Sequence, residues 1–203
     1  WQNRLELGYG LTKNDGKSAR KTNDKIYFAS TYGYQIYKTL YWSALLNFNT
    51  QFAKGYDYNI EDSDFISKFM APGYLMIGTG VTWSPNKIFT ATFTPASWRG
   101  TIVADSRLAD EGAFGVDKGK HLLSEFGANL KAEVNYEFLP NMKVYSRLEL
   151  YSNYLEDPQN VDVRWEVQLN MAINKWFSTT LSTNLLYDND VKIAQKDGTA
   201  GPR

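Results

Sequence analysis

The sequence predicts an all-β fold, an antiparallel up-and-down transmembrane β-barrel, and three observations lead to this prediction. Apolar and polar residues alternate with a period of two over long stretches, which is typical of strands with two chemically different faces. The connections between these stretches alternate between short turns and long loops. The predicted strands, of roughly 10 to 14 residues, exceed the usual length in soluble sheets and match the length that crosses a bilayer at a tilt.

About five strands are predicted in the first half of the chain, and they alternate in hydrophobicity less regularly than those that follow. They cover approximately residues 5–11, 26–37, 40–51, 74–83 and 88–95. Short turns are predicted near residues 38 and 85, and long loops over 13–24, 53–72 and 96–122. Four further strands between residues 125 and 187 bring the predicted total to about nine. The C-terminal stretch from residue 188 is predicted to be a polar loop.

The stretch from 125 to 187 has the clearest alternation, and its polar faces carry charges in an ordered pattern. Two turns, at 139–141 and around 155–159, set a cross-strand register that we chose because every opposed charge then meets an unlike charge. We expect these side chains to line the lumen of the barrel. The predicted lumen charge ladder consists of Lys131, Glu133, Glu137, Lys143, Arg147, Glu149, Arg164 and Glu166.

Bulky aromatic residues are concentrated at the ends of the apolar faces, whereas the middle positions are small or aliphatic. Aromatic girdles of this kind mark the two interfaces of a membrane protein. The predicted membrane-interface aromatics are Trp42, Trp83, Tyr136, Phe138, Tyr154 and Tyr187. The alternative is a soluble β-sandwich or lipocalin-like binding barrel, in which the apolar face would be the core.

Composition limits the function classes. The 203 residues are predicted to form one domain over 1–203. The 22 basic and 22 acidic residues balance, so no global field attracts nucleic acid. Cysteine is absent, which excludes disulfides and thiolate metal sites. We predict no metal and no cofactor; the acidic stretch at 60–64 lacks the glycine and distal glutamate of a calcium loop.

Several phrases of the sequence resemble a known family. They include "KTNDKIYFASTYGYQ", "NTQFAKGYD", "ISKFMAPGYLMIGTG", "ADEGAFGVDKG" and "LYSNYLEDPQNVDVRWE". In order and spacing they resemble an uncharacterised family of Bacteroidota outer-membrane β-barrels, a domain of unknown function. The resemblance implies a location in the outer membrane of a Gram-negative bacterium, with the lipid bilayer and components of an outer-membrane complex as partners. It also implies strands beyond both ends of this chain and a complete barrel of about 10 to 12 strands.

Two stretches carry residue types with chemical potential. His121 is the single histidine, and with Ser124 and Asp117 nearby it is the one place for a membrane-embedded hydrolase site, although a loop histidine is the simpler interpretation. The second stretch is the long connection 96–122, whose apolar residues a free loop would not expose. It is predicted either to plug the barrel mouth or to extend the wall as a hairpin. Its candidate residues are Arg99, Asp105, Arg107, Glu111 and Phe114.

The function expected from the sequence is therefore non-enzymatic. We expect a narrow pore for small hydrophilic solutes or a structural component of an outer-membrane assembly. The selectivity of such a pore would be set by the least paired charged residues, such as Glu125 and Asp162. The alternatives are the membrane-embedded hydrolase and the soluble lipocalin-like binding barrel.

Overall fold

The computed structural model describes residues 1–13, 19–58, 64–172, 174–187, 192–194 and 200–202, the last two ranges by their backbone alone. Strands dominate these ranges, and the helical content is one short α-helix and one turn of 3₁₀-helix. The elements are β1 (Gln2–Thr12), β2 (Arg20–Tyr37), β3 (Leu40–Thr50), β4 (Gly55–Tyr56), β5 (Phe65–Ser67), β6 (Gly73–Trp83), β7 (Phe89–Ile102), α1 (Ser106–Asp110), the 3₁₀ turn (Ala113–Gly115), β8 (Leu122–Leu139), β9 (Met142–Asn153), β10 (Val161–Ala172), β11 (Ser178–Tyr187), β12 (Lys192–Ala194) and β13 (Ala200–Pro202).

Within the described residues, nine strands form one sheet in the order β1-β2-β3-β6-β7-β8-β9-β10-β11. This order follows the chain, because β4 and β5 pair only with each other, as do β12 and β13. The pairs β1 with β2, β8 with β9, β9 with β10 and β10 with β11 are antiparallel. The prediction of an all-β, antiparallel fold with nine sequentially ordered strands is confirmed.

The turn between β8 and β9 shows how the sequence ends one strand and starts the next. Leu139 pairs with Met142, so only Pro140 and Asn141 connect the two strands. Asn141 has a φ of 66°, in the left-handed region that asparagine tolerates better than most residues. Proline supplies no N–H to the ladder, which helps to stop the strand at this point.

Four predictions about the elements need correction. Strand β2 begins at Arg20, inside the predicted loop 13–24, rather than near residue 26. Strand β7 does not end near Pro95 but continues to Ile102, so Arg99 lies on a strand and the connection is shorter than the predicted 96–122. The extension is held by side chains, because the Ser97 hydroxyl donates to the Gly127 carbonyl and the Trp98 indole donates to Ser124. The long loops contain β4, β5 and α1, and the predicted C-terminal loop contains the paired strands β12 and β13.

The chain divides into two compact units. The first comprises Trp1–Tyr32, Ala44–Gly78 and Trp98–Glu125, and the second comprises Gly33–Ser43, Thr79–Ser97 and Phe126–Arg203. The first unit contains the cluster of buried apolar residues that we call the loop core. The loop core consists of Ala71, Val103, Leu108, Ala109 and Val116.

A buried ion pair fastens a loop to strand β2 in the first unit. Asp24 accepts hydrogen bonds from the Lys21 ammonium at 2.7 Å and from the backbone N–H groups of Phe52 at 2.7 Å and Ala53 at 2.9 Å. The Lys21 ammonium also donates to the Ala53 carbonyl. Both charged side chains are largely buried and have lost their hydration on folding. Each therefore needs the opposite charge of the other to offset that loss.

We predict that Asp24→Ala destabilises the protein by about 3 kcal/mol, because it leaves Lys21 buried without its partner and two backbone N–H groups without an acceptor. Denaturant unfolding of the purified protein measures this loss. The matched control is Glu6→Ala, a carboxylate whose ion pair with Lys25 is more exposed, which we expect to cost less than about 1 kcal/mol. Equal losses in the two variants would contradict the interpretation.

Candidate functional site

Burial in the sheet is inverted relative to a soluble protein. On β8, Leu130 is 38% exposed while the adjacent Asn129 is 3% exposed, and on β7, Phe93 is 49% exposed while Thr94 is 0% exposed. Neighbouring residues of a strand point to opposite faces, so the apolar face is the exposed one. Buried polar residues are Ser43, Thr50, Thr92, Thr94, Ser97, Thr101, Asp105, Asn129 and Asn153.

Hydroxyl groups form a hydrogen-bonded row in the second unit, on strands β3, β6 and β7. The Ser43 hydroxyl lies 2.8 Å from that of Thr82, which lies 3.0 Å from that of Thr92. A hydroxyl can both donate and accept, so such a row satisfies its members without any charged group. We call these three residues the hydroxyl row.

The register predicted for the charge ladder is confirmed. Glu137 pairs with Lys143, Glu133 with Arg147 and Lys131 with Glu149 across β8 and β9. Arg147 also pairs with Glu166, and Glu149 with Arg164, across β9 and β10. The structure therefore brings all eight predicted residues together on one face of three neighbouring strands, with four basic and four acidic members.

The side chains of the charge ladder make closer contacts within strands than the register alone suggests. The Lys131 ammonium lies 3.3 Å from Glu133 on its own strand, and the Arg147 guanidinium lies 3.8 Å from the same carboxylate. Tyr145 donates a hydrogen bond of 3.1 Å to Glu133. Lys143 and Glu137 form an exposed pair at 3.4 Å. Glu133 is thus the central acceptor of the ladder.

The six predicted interface aromatics are all exposed, between 38% and 48%. Trp83 ends β6 and Tyr187 ends β11, and Tyr154 follows the last residue of β9. Tyr154 also donates its hydroxyl proton to the Pro95 carbonyl at 3.0 Å. Their positions at strand ends agree with the sequence pattern, and their contact with a membrane interface stays a prediction.

The connection between β7 and β8 folds against the segment that contains β5. Phe114 and Phe65 both pack against the loop core. Gly112 precedes the 3₁₀ turn and Gly115 is its last residue, with φ of 72° and 82°, a conformation that residues with a Cβ rarely adopt. The glycines of "EGAFG" thus shape a turn, and the apolar residues of this connection form a core with a second loop.

The predicted plug residues contact this neighbouring loop. Asp105 caps α1 by accepting from the Leu108 N–H at 3.1 Å, and it forms an ion pair of 2.5 Å with Lys68. Arg107 donates to the Phe65 carbonyl and, at 2.9 Å, to Glu111. Arg99, on β7, lies 4.0 Å from Glu125. Entry of this segment into a barrel mouth stays a prediction.

The residues of the hydrolase alternative are directed to different partners. The His121 ring nitrogen Nδ1 lies 2.7 Å from the Val103 carbonyl, and the Ser124 hydroxyl accepts from the Trp98 indole at 2.6 Å. Asp117 pairs with Lys120 at 2.8 Å. These contacts tie each group to the loop scaffold rather than to one another.

Metal-ligand clusters and membrane-spanning helices are both absent from the described residues. No group of three or more histidine, aspartate or glutamate side chains in these ranges could hold a metal ion. The acidic stretch considered for a cation, at 60–64, lies outside the described residues except for Asp64. None of the described helices is long and apolar enough to span a membrane.

Sequence reasoning missed the segment around Phe65, whose ring is approached by the basic groups of Lys54, Lys68 and Arg107. The available signal was the apolar phrase "FISKFMAP" at 65–72, inside the predicted long loop 53–72. Its counterpart, the apolar content of the following long connection, was recognised, but the contact between the two was not predicted.

Comparisons with known proteins identify families of unknown function. A family described as protein of unknown function, DUF481, matches residues 96–199, slightly more than half of the 203 residues. A second, described as protein of unknown function (DUF3078), is similar to residues 1–56. The searches of curated proteins and of solved structures returned no match.

We predict that Arg147→Met destabilises the protein by about 2 kcal/mol, because Glu133 and Glu166 then lose the cation between them. The double variant Glu133→Gln, Arg147→Met should recover at least half of this loss, since it also removes one of the two carboxylates left without a cation. The free energies of unfolding of the wild type, both single variants and the double variant, measured with denaturant, form a double-mutant cycle. Strict additivity would show that the two side chains do not interact.

The stability of the loops around α1 should depend on pH through Asp105. The hydrogen bond from Lys68, followed by that from the Leu108 N–H, lowers the pKa of Asp105 below its ordinary value of 3.8. A lowered pKa in the folded state contributes stability that is fully present above the unfolded value and is lost as pH falls through the folded value. We therefore expect Asp105 to stabilise the loops above about pH 4 and to lose this effect in more acidic solution.

The test compares the thermal midpoint of the wild type with that of Asp105→Asn between pH 2.5 and 7. Asparagine retains the helix cap but not the charge, so the wild type should be the more stable protein at neutral pH. The difference should shrink below about pH 4. A difference that is constant across this range would contradict the prediction.

Proposed function

The chain belongs to the DUF481 family of proteins of unknown function, and we propose that it is an integral β-barrel protein of a bacterial outer membrane with a structural or docking role. In this proposal the apolar face of the sheet contacts lipid, and the polar face forms a packed interior. The resemblance of its phrases to Bacteroidota outer-membrane barrels supports the location and suggests that bacterial group as the source.

The observation that carries the proposal is the inverted burial. Side chains such as Leu130 and Phe93 would each gain about 1.5 to 3 kcal/mol if they were transferred fully from water to an apolar environment. A soluble protein would use that energy in its core, whereas here the buried positions beside them are Asn129 and Thr94. Hydrocarbon around the sheet supplies the apolar environment that the fold itself does not.

Strand dimensions support the same proposal. Strands β3 and β6 have 11 residues each, and β9 and β10 have 12 each. A strand tilted in a bilayer needs about 9 to 11 residues to cross the hydrocarbon. Trp83 is the last residue of β6, and Tyr154 directly follows the last residue of β9; membrane proteins place amphipathic rings at such strand ends.

The lengths of the connections suggest an orientation. The turns after β2, β6 and β8 are short, whereas the connections after β3 and β7 contain further elements. Outer-membrane barrels have short turns on the periplasmic side and longer loops outside the cell. The loop core and α1 would then face the exterior, where a docking role is exercised.

The interior favours a structural role over a wide channel. Ser43, Thr92 and Thr94 are almost completely buried, so protein atoms cover the hydroxyl row and its neighbours. A narrow pore for small hydrophilic solutes is the second candidate. The observation that favours it is the partial exposure, 29%, of the Lys131, Glu133 and Arg147 side chains in the charge ladder.

We predict that tryptophan fluorescence of the protein in bilayers is strongly quenched by lipids brominated on their acyl chains. Trp165 lies on the apolar face of β10 at its middle, and Trp83 lies at a strand end. Bromine near the bilayer centre should quench Trp165 more than Trp83, and bromine near the headgroups should reverse this order. Because the chain has six tryptophans, variants that retain Trp165 or Trp83 as the single tryptophan separate the two signals.

Equal emission in brominated and ordinary lipids, or extraction from cells without detergent, would contradict the proposal and favour the soluble binding barrel. Planar-bilayer recordings of the same preparation distinguish the two roles. A silent protein that is folded and inserted supports the structural role. Conductance steps that change in the Glu133→Gln variant would instead establish the narrow pore, because Glu133 is the central acceptor of the charge ladder.

A further inference from the structure

Three basic side chains converge on the ring of Phe65 in the first unit. The distances to the ring centroid are 4.6 Å from the Lys54 ammonium, 5.7 Å from the Lys68 ammonium and 4.5 Å from the Arg107 guanidinium carbon. The aromatic face attracts each cation, which explains how one ring gathers three of them. We call Lys54, Lys68 and Arg107 the cation cluster.

Two members of the cation cluster form ion pairs within the described residues. Lys68 is bound to the buried Asp105, and Arg107 is paired with the exposed Glu111. The Lys54 ammonium lies over the ring itself. The aromatic ring thus holds a third cation beside two ion pairs.

We propose that the cation cluster is a binding site for a phosphate group. Lysine ammonium groups bind phosphate as point charges, and the arginine guanidinium offers a planar fork of donors that matches two phosphate oxygens. The phosphomonoester dianion carries two negative charges and accepts hydrogen bonds from several directions. A carboxylate offers only two oxygens and one charge.

The cluster is accessible and held in place. The Lys68 and Arg107 side chains are 33% and 37% exposed, so a ligand can reach their donors. Arg107 is fixed by its bond to the Phe65 carbonyl, and Phe65 packs against the loop core. Donors that are already oriented lose less conformational entropy on binding, which raises affinity for a small anion. This site does not depend on whether the strands cross a membrane.

The phosphate can belong to a lipid headgroup or to a soluble molecule, and two probes separate these sources. One is inorganic phosphate, titrated calorimetrically into the full chain in a zwitterionic detergent at constant ionic strength set with chloride. The other is phosphatidic acid in mixed micelles, compared with phosphatidylcholine at the same concentration. Binding of inorganic phosphate alone indicates a soluble ligand. Binding of phosphatidic acid alone indicates a lipid headgroup.

Variants that remove a positive charge and a variant that removes a negative charge test whether these side chains bind phosphate. Lys54→Gln and Arg107→Gln should each weaken binding about tenfold, because each removes one charge-assisted contact. Glu111→Gln should strengthen it, because it removes the carboxylate that competes for Arg107. Lys120→Gln is the matched control, since Lys120 is an exposed lysine of the same connection, paired with Asp117 outside the cluster, and should bind as the wild type does.

Lys54 is exposed, so its substitution leaves the fold intact and the comparison valid. The proposal is overturned if the wild type binds neither probe more tightly than chloride or phosphatidylcholine. It is also overturned if Lys54→Gln and Lys120→Gln weaken binding equally.

Discussion

The strict alternation of side chains along an antiparallel strand is the constraint on which this structure depends. On β7 and β8 the apolar face is the exposed one, so the other face places polar groups inside the protein, where an unsatisfied donor or acceptor costs about 1 to 3 kcal/mol. Two solutions occur in the second unit. Strands β3, β6 and β7 use hydroxyls, which donate and accept in turn. Strands β8, β9 and β10 use unlike charges. The hydroxyls carry no charge, and the four basic and four acidic members of the charge ladder balance.

The charge ladder also fixes the register, which the apolar face cannot do alone. A slip by one residue would exchange the two faces and is excluded by burial. A slip by two residues keeps the faces, but between β8 and β9 it would place Glu133 opposite Glu149 or, in the other direction, Lys131 opposite Arg147. Between β9 and β10 the same slips would oppose two glutamates or two arginines. Each two-residue slip therefore creates a like-charge pair, and the native register avoids all of them.

The features predictable from the sequence are those set by neighbours along the chain. Period-two alternation located the nine strands of the sheet, and the signs of the charges sufficed to derive the pairing of β8, β9 and β10. The missed features each need two distant segments. Strand β7 passes Pro95 because Ser97 and Trp98 find partners on β8, and Asp24 is buried because the loop at 52–53 covers it. A pattern within one segment does not show which distant segment it will contact. The contacts of Lys54 and Arg107 with Phe65 were missed for the same reason.

The ion pairing of the charged side chains indicates where an external ligand can bind. Charges of the ladder already face unlike charges, so a ligand there must displace an internal partner before it gains anything. Around Phe65 the arrangement is different, because within the described residues three cations meet on one ring and two of them, Lys68 and Arg107, are in ion pairs. The cation cluster also combines Lys54, from the stretch similar to one family of unknown function, with Arg107, from the stretch that matches the other. The proposed phosphate site therefore draws on both stretches of this chain.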